Sequence, residues 1–167
     1  MDITKDIACC FTGHRPVKLP WALNEDDPRC IALKENLFEK LKDIYERGYR
    51  HFLCGMAIGC DMYFAEAVLE LQQEHEDVKL FAVIPCGSQP EKWTLAQRKR
   101  YNSIIDRCSE LTVLQVEYSS TCMQKRNEYM VDCSSLLLAC YDGLPGGTMK
   151  TILYADRQGL ETIIIDI

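Results

Sequence analysis

Residues 53–66 read LCGMAIGCDMYFAE, and this stretch predicts the fold. A short apolar segment ends at Cys54, glycines follow at Gly55 and Gly59, and a strongly helical run occupies residues 61–73. Nucleotide-binding α/β domains use this order of strand, glycine turn and helix, because glycine lets the backbone approach a ligand and the helix N-terminus exposes free N–H groups. The spacing is not the dinucleotide fingerprint G-x-G-x-x-G, so this turn alone is weak evidence for a nucleotide site. Similar turns elsewhere in the chain strengthen the prediction.

Strand-like and helical segments alternate along the whole chain. Apolar segments predict strands at residues 7–12, 51–54, 78–84, 111–116, 136–141 and 161–167. Helical spacing predicts helices at residues 31–45, 61–73, 91–108, 123–132 and 148–157, whereas residues 18–30 read as a flap or a plain surface loop. This alternation predicts a single Rossmann-like domain over residues 1–167, with three layers (α/β/α) and a mostly parallel sheet of about six strands.

Composition and charge narrow the classes of function. The chain has 167 residues, of which 47% are hydrophobic, enough for a core without disulfides or a structural metal. A net charge of −6 argues against a broad nucleic-acid or membrane interface but allows a small local anion site. The sequence shows neither a membrane-spanning apolar run nor a signal-peptide pattern, so we expect a cytoplasmic protein. The ten cysteines form no C-x-x-C pair, which favours reduced packing thiols over a metal or redox site.

Three loops are expected to meet at the carboxyl edge of the sheet, where open α/β sheets bind ligands. The first follows the first strand and contains Thr12, Gly13, His14 and Arg15. Arg15 would bind a phosphate or carboxylate and His14 would hydrogen-bond the ligand; the alternative is a solvated arginine and a histidine that caps local backbone. The second is the turn from Gly55 to Gly59 with Asp61 behind it, where Asp61 contacts the ligand or caps the helix.

The third loop is rich in glycine and opens the last helix. It offers Gly146, Gly147 and Thr148, with Thr151 one turn later, as a nest for a phosphate or ribose phosphate. The alternative is a tight turn capped by threonine. The loop lacks the Walker lysine and serine, so an ATPase of the P-loop type is not predicted.

Charged side chains in the helices supply further candidates. Arg126 could make a bidentate contact with a phosphate or carboxylate; the alternative is that it is an ordinary surface charge. Glu66 and Glu128 read more simply as surface carboxylates than as buried functional ones, and residues 98–100 (Arg-Lys-Arg) read as a solvated charged face. His51 opens the second strand and is expected to be structural.

Three segments together resemble a known family. Residues 9–16 (CCFTGHRP), 54–66 (CGMAIGCDMYFAE) and 146–151 (GGTMKT) are similar to the SLOG superfamily, and within it most closely to the bacterial YpsA-like family. The resemblance covers nearly the whole chain. It implies a Rossmann-like fold and a nucleotide-derived ligand, with no settled reaction.

A more distant similarity is to the LOG-type, lysine-decarboxylase-like phosphoribohydrolases. Met123 and Arg126 match the first part of their signature, and residues 145–148 (PGGT) resemble the second. The resemblance implies Arg126 as a catalytic residue, but residues 150–153 (KTIL) stand where the family has a glutamate. Cleavage of an N-glycosidic bond needs a carboxylate, for which Asp61, Glu66 or Glu128 would have to substitute.

Three hypotheses of function follow. The first is a module that binds a nucleotide or nucleotide derivative, with no required cofactor, no metal and no nucleic-acid partner. The second is an N-glycosidase that acts on nucleoside monophosphates. The third is an adaptor with a vestigial pocket that works through a protein partner. Exposed apolar helix faces would add a homodimer to any of them.

Overall fold

A sheet of six parallel strands forms the centre of the molecule. The computed structural model describes residues 2–167. The strands lie in the spatial order β4-β3-β2-β1-β5-β6. Their bounds are β1 Ala8–Thr12, β2 His51–Cys54, β3 Lys79–Ile84, β4 Glu110–Val113, β5 Leu136–Tyr141 and β6 Glu161–Asp166.

Five helices cover the two faces of the sheet. They are α1 Pro28–Glu46, α2 Cys60–Glu74, α3 Leu95–Arg107, α4 Cys122–Asp132 and α5 Gly147–Arg157, with short 3-10 turns at Lys5–Ile7 and Pro16–Lys18. The Rossmann-like three-layer prediction is confirmed, and every strand pair in the sheet is parallel.

The central strands separate two apolar layers, because successive side chains of a strand point to opposite faces. Phe11 of β1 belongs to the apolar layer that also contains residues of α1, α2 and α3, and its ring stacks on that of Phe64 of α2 with the centroids 4.4 Å apart. Cys10 of β1 points to the other face, toward Met130 of α4 and Ala155 of α5. All five residues of β1 are buried, as a central strand of a parallel sheet requires.

The order in which strands are added to the sheet reverses between β1 and β5, and this reversal positions the site. β1 pairs with β2 on one side and with β5 on the other. The chain leaves β1 toward β2 and leaves β5 toward β6, so the loops after β1 and β5 diverge and open a crevice between them.

Two helices begin several residues away from the start that the spacing predicts, whereas the other three begin one residue before it. α1 starts at Pro28 rather than Ile31, because the Asp27 carboxylate accepts the Arg29 N–H at 2.8 Å and proline suits the first helical position. α3 starts at Leu95 rather than residue 91, because Thr94 and Gln97 form a reciprocal capping box.

The prediction of a solvated basic face at residues 98–100 is wrong for Arg100. Its guanidinium donates to Glu25 Oε2 at 2.6 Å and also pairs with Glu66 of α2. Lys34 of α1 donates to the same Glu25 at 2.7 Å. Trp21 Nε1 donates to Tyr63 Oη at 3.2 Å, so two separate contacts tie residues 21–25 to the helices.

The cysteines and His51 have local roles. All ten cysteines are free thiols, and eight are buried: Cys9, Cys10, Cys30, Cys54, Cys60, Cys86, Cys122 and Cys140. His51 Nδ1 accepts the Thr4 N–H at 3.0 Å, which is a structural contact. Among residues 2–167, no helix is long and apolar enough to cross a lipid bilayer.

Candidate functional site

A cavity of about 300 Å³ lies at the carboxyl ends of the central strands, beside the crevice between β1 and β5. That volume is at the lower end of the range of small-molecule sites. The walls come from the β1 loop, the β2–α2 turn, α4 and the start of α5. They are formed by Phe11, Thr12, Gly13, His14, Arg15, Val17, Lys18, Ala57, Asp61, Met123, Arg126, Asn127, Gly147 and Thr148.

His14 holds the first loop to the third. Its imidazole is buried, with Nε2 3.0 Å from the Asp142 carboxylate and 3.1 Å from the Asp142 backbone N–H. The first contact needs a proton on Nε2 and the second a lone pair, so a neutral imidazole makes one of them at a time. On its other side, Nδ1 lies 3.4 Å from Thr148 Oγ1. Both ring nitrogens are therefore engaged by the protein.

Asp142 stabilises the turn that follows β5. The Leu144 N–H donates to its Oδ1 at 2.9 Å, and this backbone contact, with His14 adding to it, lowers the pKa of the Asp142 carboxyl. The carboxylate is thus the charged partner that orients both His14 and the glycine-rich loop.

The N-terminus of α5 faces the cavity with free amides. Gly146 is the N-cap and supplies no side chain, and no acceptor among residues 2–167 takes the backbone N–H of Gly147 or Thr148. Lys18 Nζ lies directly against Gly146, where a Cβ atom would overlap the ammonium. A lysine charge and the positive end of a helix dipole therefore meet at one point of the cavity wall.

Arg15 and Val17 form the mouth of the cavity. Both are exposed, Val17 to 90%, and they flank Pro16 at the start of the short 3-10 turn Pro16–Lys18. The guanidinium of Arg15 lies close enough to favour the charged form of Asp61. The mouth thus combines an exposed cation with an exposed apolar side chain.

Arg126 reaches across from α4 into the floor of the cavity. It is buried, and its Nη1 donates to the backbone carbonyl of Gly55, while Nε donates to Asn127 Oδ1 at 2.9 Å. Burial lowers the pKa of the guanidinium, and the nearby Asp61 charge opposes that shift.

Asp61 is the buried acid of the cavity. It lies in the first turn of α2 and is 8% exposed. Its Oδ2 accepts the Ala57 N–H at 3.0 Å. Burial raises the pKa of this carboxyl, and Arg126, the Ala57 amide and Arg15 oppose the shift. Asp61 and Arg126 therefore offset one another in a poorly solvated wall.

The glycines of the second loop permit close packing behind this wall. A Cβ at Gly55 would lie 2.5 Å from the guanidinium carbon of Arg126. Gly59 has φ +94°, and a Cβ there would lie 2.7 Å from the carbonyl oxygen of His14. That carbonyl accepts the Cys60 N–H at 3.1 Å. These glycines thus let the first loop and Arg126 contact the β2–α2 turn, rather than forming an open cradle themselves.

The structure brings together eight of the residues predicted to bind ligand. Thr12, Gly13, His14, Arg15, Asp61, Arg126, Gly147 and Thr148 line the cavity. Five others do not line it: Gly55, Gly59, Glu66, Gly146 and Thr151. Glu66 pairs with Arg100 on the surface, and the Thr151 hydroxyl donates to the Gly147 carbonyl at 3.1 Å inside α5.

Sequence reasoning missed Lys18, Asp142 and Asn127. Lys18 lies in a segment without periodicity, so no sequence signal placed it beside Gly146. Asp142 directly follows β5 and begins the glycine-rich loop, a position that could have indicated a loop-organising carboxylate. Among residues 2–167, no three His, Cys, Asp or Glu side chains are arranged to hold a metal ion.

Comparison with known sequences gives consistent matches. The model of the YpsA family, described as the YspA SLOG family, matches residues 9–162. A curated relative is the uncharacterized SPbeta prophage-derived protein YoqJ of Bacillus subtilis, 29% identical over 80% of this chain and 86% of that protein. A UPF0398 protein of Bacillus cereus strain B4264 is 30% identical over 88% of this chain and 80% of that protein.

Comparison with solved structures finds DNA processing protein A. The Streptococcus pneumoniae protein superposes with a TM-score of 0.64 and 14% identity over 94% of this chain, which spans 49% of that chain. The Helicobacter pylori protein gives a TM-score of 0.64 and 13% identity over 95% of this chain and 64% of that chain. At these identities the likeness concerns the fold.

Proposed function

The chain belongs to the YpsA SLOG family, and we propose that its cavity binds a nucleotide or nucleotide-derived ligand through a phosphate group. One observation carries the proposal: the free amides of α5, the Lys18 ammonium and the Arg15 guanidinium surround one hollow at the reversal of strand order. Parallel α/β sheets bind ligands at this place, and helix N-termini favour anions.

The phosphate would lie against Gly147 and Thr148. Their backbone N–H groups have no protein acceptor among residues 2–167, and the Thr148 hydroxyl adds a donor. Lys18 would approach the same group from across Gly146, and Arg15 from the mouth. Arg126 already donates hydrogen bonds to Gly55 and Asn127. It therefore supplies positive charge to the floor of the cavity rather than a bidentate pair of hydrogen bonds to the ligand.

The rest of the ligand would contact apolar and amide groups. Phe11, Val17, Ala57 and Met123 offer apolar surface in the same cavity, and Asn127 offers an amide. A nucleoside has this mixture of a flat apolar ring and polar edges. A bare inorganic anion would leave that surface unused.

Calorimetry and thermal shift against a nucleotide panel test the proposal. The panel contains nucleoside mono- and diphosphates, ADP-ribose and inorganic phosphate. We expect binding that weakens in Lys18→Ala and Arg15→Ala, but not in Lys5→Ala, since Lys5 is an exposed lysine before the amino end of β1. Absence of binding by every nucleotide would reject the proposal and favour an adaptor with a vestigial pocket.

A dT oligonucleotide belongs in the same panel, because the Helicobacter pylori protein is described as binding single-stranded DNA. We expect no binding, since the chain carries a net charge of −6 and polyanions require a broad basic surface. Binding of the oligonucleotide in preference to nucleotides would replace the proposal with a nucleic-acid function.

Asp61 favours a second candidate, the N-glycosidase. Of the acids that could substitute for the missing glutamate, Asp61 lines the cavity, whereas Glu66 and Glu128 do not. Hydrolysis would break the C1′–N bond, join a water oxygen to C1′ and return the proton to the base, with Asp61 stabilising the positive charge that develops on the sugar. Chromatography of nucleoside monophosphate incubations tests this: base release abolished in Asp61→Asn and Arg126→Ala supports it, and a flat time course rejects it.

A further inference from the structure

Asp61 has one carboxylate oxygen that the fold does not use. Its Oδ2 takes the Ala57 N–H at 3.0 Å, whereas its Oδ1 makes no hydrogen bond to any described residue from 2 to 167. The side chain is only 8% exposed, and that exposure opens into the cavity. Oδ1 is not among the fully enclosed atoms without a partner, so it keeps some exposed area in a residue that lines the cavity.

A structural role accounts for Oδ2 alone. The bond from Ala57 closes the turn before α2, and a single acceptor is enough for that. An asparagine would close the turn equally well. Burying a negative charge is costly, and it raises the pKa of this carboxyl. The remaining oxygen therefore points to a ligand contact.

The chemistry of a carboxylate restricts that contact. An ionised carboxylate only accepts hydrogen bonds, and it repels a phosphate. The ligand must therefore present donors at Asp61 while it presents an anion at α5. Vicinal sugar hydroxyls are neutral donors that suit a carboxylate, and the charge makes such hydrogen bonds stronger.

The separation of the two ends fits a sugar phosphate. Asp61 follows β2 and the free amides follow β5, and β1 lies between these strands. Two strand spacings amount to roughly 10 Å. A ribose 5′-phosphate covers such a distance when it makes a hydrogen bond at each end.

We infer that Asp61 Oδ1 accepts a hydrogen bond from the 2′,3′-hydroxyl pair of the bound nucleotide, so that the site selects ribonucleotides over their deoxy counterparts. This inference rests on the proposed function, because it needs a nucleotide in the cavity. It adds a determinant of specificity at the end of the cavity remote from the phosphate.

Calorimetry with AMP, 2′-deoxy-AMP and 2′,3′-dideoxy-AMP tests the inference. Loss of a charge-assisted hydrogen bond is expected to weaken dideoxy-AMP relative to AMP by about tenfold or more in the wild-type protein. In Asp61→Asn the ratio should fall to within about threefold, because the ligand then meets a neutral amide. Asp106→Asn is the matched control: Asp106 is exposed on α3, and the variant should keep the wild-type ratio.

The outcomes separate the inference from the proposal beneath it. If AMP and the other nucleotides do not bind at all, the proposed function fails. If AMP binds and dideoxy-AMP binds equally well, the inference fails while nucleotide binding stands. A preference that survives in Asp61→Asn overturns the assignment to Asp61. If Asp61→Asn does not fold, the comparison of AMP with dideoxy-AMP in the wild-type protein still decides whether the site recognises a ribose hydroxyl.

Discussion

Substitution of Gly55 by alanine should destabilise the protein through Arg126. The added Cβ would lie 2.5 Å from the guanidinium carbon, so the buried side chain must leave its position. Gly55 does not have a positive φ, so its backbone accepts alanine and the effect comes from the collision.

The size of the effect follows from two losses. The hydrogen bond from the charged Arg126 to the Gly55 carbonyl contributes about 1.5–3 kcal/mol, and overpacking a tight site costs about 1–3 kcal/mol. Their sum, roughly 2.5–6 kcal/mol, is a large part of the stability of a typical domain, which is about 5–15 kcal/mol. At a urea slope of about 2 kcal/mol per molar, the midpoint should fall by roughly 2 M.

Equilibrium urea unfolding measures this shift, with Gly87→Ala as the matched control. A Cβ at Gly87 would lie 3.6 Å from the Val116 carbonyl, an ordinary contact, and the residue is exposed. We expect that control to unfold within about 0.5 kcal/mol of wild type. In an Arg126→Ala background, Gly55→Ala should cost much less, since the colliding group is gone. An unchanged midpoint for Gly55→Ala in the wild-type background would refute the packing described for Arg126.

Three further predictions concern charge. Raising the ionic strength should weaken AMP binding by the wild-type protein more than by Lys18→Ala, because the exposed ammonium beside Gly146 is screened by salt; calorimetry at two salt concentrations measures this. Lowering the pH should stabilise the wild-type protein relative to Asp61→Asn, as followed by urea unfolding. The folded-state pKa of Asp61 is raised above 3.8, so the penalty for the buried charge is full above that raised pKa and disappears as the pH falls through it toward 3.8. Arg100→Ala should speed proteolysis between residues 19 and 27, because Glu25 loses its guanidinium partner.

A specific result would contradict each of these three predictions. An equal salt dependence in the wild-type protein and Lys18→Ala would show that Lys18 does not meet the ligand. A stability difference between wild type and Asp61→Asn that stays constant with pH would contradict the burial of a charged carboxylate. If Arg100→Ala and the exposed-site control Arg107→Ala are cleaved at the same rate as wild type, the ion pair does not hold the segment.

The architecture was predictable because its signals are local and repeated. Every strand of the sheet corresponds to an apolar segment, and the glycine turns fall at strand ends, so the order of elements could be read directly. The starts of α1 and α3 were harder to place, since Asp27 and Thr94 act as caps through hydrogen bonds that periodicity does not report.

The site was predictable where a residue lies in the loop that follows a strand or at the start of the next helix. Arg15 and Thr148 were found this way, because the carboxyl ends of parallel strands share one edge. Lys18 and Arg100 could not be found, since each meets partners distant in sequence: Gly146 for Lys18, and Glu25 for Arg100. Such contacts depend on the three-dimensional fold, which local sequence patterns do not report.

The anchoring of the first loop has a consequence for how ligand preference could change. His14 is fixed to Asp142 at one end, and Trp21 is fixed to Tyr63 at the other. The side chains of Arg15, Val17 and Lys18 between them are exposed and take no part in the buried core. They therefore form an exchangeable insert, in which evolution or a designer can alter the chemistry of the entrance while the sheet and its helices keep the same packing.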